Sequence, residues 1–94
     1  METTITGFQV GRCYLTTGAQ FALQEAGQLP YSFLDRHSQC DWGEVCKDDW
    51  TANDEAVTAG ERVLSAYTTR KGDRIWIITE AGFKTTTILL PAEY

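Results

Sequence analysis

Apolar residues recur at helical spacing through the first two thirds of the chain and at strand spacing in the last third. Ala19, Ala22, Leu23 and Ala26 fall at i, i+3, i+4 and i+7, one face of a helix. Thr16 or Thr17 can cap its start and Gly27 its end, which predicts a helix over 17–26. Leu29-Pro30 opens a second, shorter helix, because proline fits the first turn. Phe33, Leu34 and His37 share a face there, and the helix is expected to stop near Ser38. The segment 39–44 reads as a loop or tight turn, with Trp42 before Gly43 as an aromatic plug folded back on the core. Asp48 can cap a third helix ending at Gly60, whose inward stripe is thin: Trp50, Asn53 or Asp54, and Val57.

The last third changes period. Residues 62–69 are rich in β-formers, 70–74 carry a turn glycine, and 75–79 form a dense apolar strand. Ala81-Gly82 gives a second turn, and 83–90 read as a further strand before Pro91. Three strands joined by two short turns make an antiparallel meander. Alternation puts Ile75, Ile77 and Thr79 on one face and Trp76 and Ile78 on the other. Both faces are apolar, so this strand is expected to be central and covered on both sides, or covered on one side by a partner chain. Phe8, Val10 and Tyr14 sit at even positions of a weaker strand signal in 7–15, interrupted by Gly11. The expectation is one α+β domain over 1–94: two or three helices on a three-stranded antiparallel meander, with room for an extra N-terminal strand. A homodimer through the sheet or its edge would supply the missing cover.

Composition narrows the partners. The 94 residues are 43% hydrophobic and 22% charged, the profile of a globular chain with one core. A deep cavity would consume much of so small a core, so a surface groove or an oligomer interface is the expected kind of site. Lys plus Arg is 8 and Asp plus Glu is 13, a net charge of −5. That balance argues against generic nucleic-acid binding and against an anionic membrane surface. No apolar run approaches the ~20 residues of a membrane span. Met1-Glu2-Thr3-Thr4-Ile5 lacks a basic region followed by an apolar stretch, so no signal peptide is read and a cytoplasmic location is expected. The acids concentrate at Asp41, Glu44, Asp48, Asp49, Asp54 and Glu55, whereas the tail after Arg62 is mildly basic. Such a lobe is either a solvated face or a patch that meets a basic partner.

Candidate chemistry is sparse. His37 and Cys40 are spaced H-x2-C, and Cys46 and Cys13 complete four ligand types suited to zinc. Paired C-x2-C knuckles are absent and Cys13 belongs to a different element, so no metal or other cofactor is expected and reduced thiols are the default. His37 with a thiol could also make a nucleophile, but no phosphate loop, H-E-x-x-H or G-x-S-x-G accompanies it. Glu80, at the end of the central strand, is the carboxylate nearest to apolar surroundings. Arg70, Lys71 and Arg74 crowd one hairpin beside Trp76, which reads as an edge guard before it reads as a nucleic-acid contact.

Residues 60–81 and Thr86-Thr-Ile-Leu-Leu-Pro-Ala-Glu-Tyr94, with Leu15-Thr-Thr-Gly-Ala19 and Asp41-Trp-Gly43, resemble a family of small uncharacterised bacterial proteins carried on plasmids, integrons and other mobile elements. The second turn, Gly82-Phe-Lys-Thr-Thr86, departs from the Asp-Arg-Ser-Ser-like stretch of that family. The resemblance implies a bacterial, intracellular accessory product and transfers no catalytic residue. The expected function is therefore a non-enzymatic protein-binding or regulatory module using the acidic surface. The competing expectation is a small enzyme or ligand- or metal-binding protein with a site near His37 and Cys40.

Overall fold

The computed structural model describes residues 7–94. The reading of Met1–Ile5 falls outside them. The element order is β1 (Arg12–Leu15), α1 (Thr17–Ala26), α2 (Pro30–Ser38), α3 (Lys47–Ala59), β2 (Val63–Thr68), β3 (Arg74–Thr79), β4 (Thr85–Leu89) and a closing 3₁₀ turn, Pro91–Glu93.

The helices follow their sequence signals closely. The Thr16 hydroxyl accepts from the amide of Ala19 and starts α1, and Gly27 stops it. Pro30 opens α2. The third helix starts two residues earlier than expected: its N-cap is Cys46, not Asp48, and Cys46 makes no side-chain cap. Asp48 and Asp49 instead occupy the first turn, where the helix dipole favours their charge. Its buried stripe is Asn53 and Ala56, with Trp50 and Val57 only half-buried.

The antiparallel meander β2-β3-β4 is present, but it is part of a four-stranded mixed sheet of order β1-β4-β3-β2. A three-stranded meander leaves the outer edge of β4 unpaired. The N-terminal strand fills that edge and runs parallel to β4, with Cys13 opposite Thr86 and Leu15 opposite Ile88. Gly11 and the short length of β1 are why the sequence pattern announced this strand so faintly.

One face of the sheet carries Val63, Ser65, Tyr67, Ile75, Ile77, Thr79, Thr86 and Ile88, and the helices pack on it. Ala19 and Leu23 of α1 and Phe33 of α2 join Tyr67, Ile75, Ile77 and Ile88 in the main core. Trp42, fully buried, leads a second cluster with Ala56 and Val63 and is the plug its position predicted. On the far face Ile78 and Leu89 are buried within the single chain. Part of this cover is the C-terminal turn, where Tyr94 meets the Trp76 ring edge-on at 5.6 Å. Glu93 ties that turn down: its carboxylate accepts from the Thr16 hydroxyl (2.6 Å), from the Gly18 amide (3.0 Å) and from the Leu90 amide (2.8 Å). A Cβ on Gly18 would stand 2.5 Å from that carboxylate, so a larger residue there would push the Glu93 side chain aside.

The outer edge of β2 is sealed from within. The Asn53 side chain donates to the Leu64 carbonyl (2.8 Å) and accepts from the Leu64 amide (3.2 Å), imitating a neighbouring strand. Beyond it, Glu44 donates to the Ala66 carbonyl (2.7 Å) and Ala66 donates to the Trp42 carbonyl (3.1 Å). Gly43, at φ 74°, makes this contact possible, since a Cβ there would lie 2.1 Å from the Ala66 carbonyl oxygen. Gly43→Ala is expected to destabilise the fold by more than about 2 kcal/mol, against about 1 kcal/mol for Gly72→Ala, where backbone strain is the sole penalty. Gly72 has open space around its Cβ position. Urea unfolding of the two variants beside the parent chain measures the difference.

Candidate functional site

The most unusual feature of the interior is polar. Period-2 alternation turns Ser65, Thr79 and Thr86 inward on three adjacent strands, and all three are fully buried. His37, also fully buried, enters from α2 between them. Its Nδ1 lies 2.5 Å from the Ser65 hydroxyl and its Nε2 lies 2.8 Å from the Thr79 hydroxyl. Thr79 and Thr86 hydroxyls meet at 2.7 Å, and Thr86 reaches the Val10 carbonyl at 2.6 Å.

The last link, together with the neutral ring that burial enforces, fixes the direction of every other. A carbonyl only accepts, so Thr86 donates to Val10. Thr86 must then accept from Thr79, which has spent its own proton and must accept from His37 Nε2–H. His37 Nδ1 is left as an acceptor for the Ser65 hydroxyl. The chain of bonds runs Ser65 to His37 to Thr79 to Thr86 to Val10, and in it the neutral His37 is the Nε2–H tautomer. Burial pushes the His37 pKa down from 6.5 to about 3. Among the described residues no buried side-chain nitrogen or oxygen lacks a partner.

Aromatic rings close the surroundings. Phe8 meets His37 edge-on at 5.4 Å and Trp42 meets it edge-on at 5.6 Å. Phe83 packs on Phe8 at 5.0 Å from a left-handed backbone position, φ 55°. That conformation is unfavourable for a large residue, and here it delivers a ring to the lid over His37.

This arrangement holds a proton in place; it does not present one. Ser65 and His37 are two members of a nucleophile pair, but both ring nitrogens are occupied and neither residue reaches solvent. Cys40 does not join them. It takes the left-handed position that ends α2 (φ 66°), donating from its amide to the His37 carbonyl (3.0 Å), while the Asp41 amide donates to the Arg36 carbonyl (2.9 Å). Cys13 is exposed on β1 and Cys46 is exposed before α3. Burial raises the Cys13 and Cys40 thiols above their usual pKa, the opposite of an activated nucleophile. Among the described residues no group of three or more His, Cys, Asp and Glu side chains is placed to hold a metal ion. Glu80 is exposed and stands 3.6 Å from Arg62.

The six acids divide into two sets. Asp41 pairs with Arg36 at 2.8 Å and accepts from the Gly43 amide at 3.2 Å, and the Arg36 hydrogen bond lowers its pKa. Glu44 accepts from Thr68 (2.8 Å) and lies 3.6 Å from Arg74. Asp54 accepts from the buried Trp42 indole N–H at 3.0 Å. These three serve the fold. Asp48, Asp49 and Glu55 are exposed on α3, with no hydrogen bond or ion pair among the described residues. An open cleft of about 230 Å³ lies between α3 and β2, lined by Val45, Asp49, Asn53, Arg62 and Leu64. It is smaller than the ~300 Å³ at which small-molecule sites begin.

Sequence reasoning singled out His37 but missed Ser65, Thr79 and Thr86 as its partners. The usable signal was a hydroxyl at each inward position of strands otherwise lined by Ile, Val and Tyr. No family model matches the chain, nor does any curated protein or solved structure.

Because the folded pKa of His37 is depressed, the unfolded chain binds the extra proton first. Stability is full above the unfolded value of 6.5 and is lost as pH falls toward about 3. The slope is about 1.4 kcal/mol per pH unit. His37 is the single histidine, so it dominates between pH 6.5 and 5, above the ordinary carboxylate range. His37→Leu is expected to cost about 1–3 kcal/mol at pH 7, by orphaning the Ser65 hydroxyl, and to flatten the pH dependence in that window. Adding Ser65→Ala should recover part of the loss. Urea midpoints at pH 7 and pH 5 for the parent and both variants check all three outcomes.

Proposed function

We propose that this chain is a non-enzymatic recognition module, a cytoplasmic accessory protein of bacterial mobile elements, which binds a basic surface of another protein through the acids of α3. One observation carries the reading: once the residues spent on folding are set aside, Asp48, Asp49 and Glu55 remain exposed and without a partner among the described residues. The net charge of −5 works in the same direction, favouring encounter with a cationic partner. The resemblance to mobile-element proteins supports the accessory role. A cytoplasmic location suits three free thiols, and among the described residues no helix is long and apolar enough to cross a membrane.

Such a contact depends on salt, because exposed charges are screened over about 8 Å at physiological ionic strength. The test is affinity capture from a bacterial lysate with the parent chain and with the Asp48→Lys, Asp49→Lys, Glu55→Lys triple variant. The expected result is a stoichiometric, basic protein retained by the parent, lost by the variant, and released by about 0.5 M salt. Capture that ignores both the substitutions and the salt contradicts the electrostatic reading. Circular dichroism of the variant establishes that its fold is retained.

A further inference from the structure

The two edges of the sheet are treated differently. The β2 edge is closed by Asn53 and by the Trp42–Glu44 segment. Among the described residues the β1 edge has no such cover: Arg12, Cys13, Tyr14 and Leu15 are all exposed. Arg12 donates to the Lys84 carbonyl (2.9 Å) and Thr16 donates to the Ile88 carbonyl (3.0 Å), so the even residues face β4. The amides and carbonyls of Cys13 and Leu15 therefore point away from the sheet. Neither amide donates to a backbone acceptor among the described residues. No proline, acid or inward-pointing charge guards this edge.

We infer that β1 pairs antiparallel with β1 of a second copy, about a two-fold axis passing through Tyr14, and joins the two four-stranded sheets into one of eight strands. The pattern of free groups selects this occupant. Cys13 and Leu15 lie symmetrically about Tyr14, so in this register each faces the other's copy. Together they form two hydrogen-bonded pairs that use every outward donor and acceptor of the strand. Tyr14, 49% exposed, then faces its own copy at the close, non-hydrogen-bonded position. On the opposite face the Cys13 thiol meets Leu15, 37% exposed, across the junction. The strand carries one cation, Arg12, and no acid. Its copy stands at the far end of the pairing, opposite Thr16, whose hydroxyl holds the Glu93 carboxylate, so the paired strands add no like-charge contact. Among the described residues only one sheet edge is open, and the assembly closes at two copies.

The edge makes this inference independent of α3 and its acids. Sedimentation of the full chain over a concentration series up to about 1 mM is expected to show reversible dimerisation. Cys13→Pro removes an outward donor while leaving the β1–β4 ladder bonds in place, and Leu15→Lys puts a charge beside the junction. Each is expected to weaken association by about tenfold or more with the circular dichroism spectrum retained. Register is read by oxidation. With Cys13 and Cys46 changed to Ser, Tyr14→Cys is expected to cross-link into a covalent dimer, whereas Arg12→Cys is not. A one-chain mass at the highest concentration overturns the proposal. So does dimerisation unaffected by both edge variants, or cross-linking that is equal at positions 12 and 14.

Discussion

A carbonyl oxygen that can only accept sets the polarity of the whole interior. From Val10, the requirement passes through Thr86 and Thr79 to His37 and ends at the Ser65 hydroxyl. The chain of bonds ties α2, three strands and the segment before β1 into one unit. An apolar core of the same shape would bind these elements by area and hydrophobic pattern alone. Here a one-residue slip of β3 would turn Thr79 to the far face and leave His37 without its acceptor, and a slip of β4 would take Thr86 from Thr79 in the same way. Register and helix position are thus specified by hydrogen bonds whose loss is expensive in a buried setting, and the aromatic enclosure of Phe8, Trp42 and Phe83 keeps that setting dry.

The same economy appears at the surface of the fold. Residue strings that look like functional motifs in the sequence prove to be partners of one another. Thr16 and Gly18 of the Leu15-Thr-Thr-Gly-Ala19 string hold Glu93 of the C-terminal string. Asp41-Trp-Gly43 runs beside Ser65-Ala-Tyr67, through the Ala66 bridge and the Tyr67 hydroxyl donating to the Asp41 carbonyl at 2.6 Å. Burial pushes that phenol up to about 12. Asp48, Asp49 and Glu55 on α3 and the outer edge of β1 are among the groups that the described fold leaves unpaired.

Local signals were legible in the sequence, and long-range ones were not. Helix starts at Thr16 and Pro30, stops at Gly27 and Gly60, and the inward set Ile75, Ile77 and Thr79 each follow from residues within a turn of one another. The parallel pairing of β1 with β4 links residues more than seventy positions apart, and nothing in the four residues of β1 names the partner. The meander was therefore read as three strands where the sheet has four. The acidic lobe was read as one surface because charge alone does not tell a solvated acid from one bonded to Trp42 or Arg36. The partners of His37 escaped for a related reason. Each is a common strand residue, and the meaning of each lies in its inward position beside a helix that the sequence places elsewhere.

The most direct test is the protonation state of His37 itself. Long-range ¹⁵N–¹H correlation of the imidazole, recorded from pH 7 down to about 5, reads both ring nitrogens without reference to stability or binding. The account predicts an invariant neutral ring, with the proton on Nε2 and Nδ1 as a bare acceptor throughout. A ring that titrates near the ordinary histidine value, or that carries its proton on Nδ1, would contradict it.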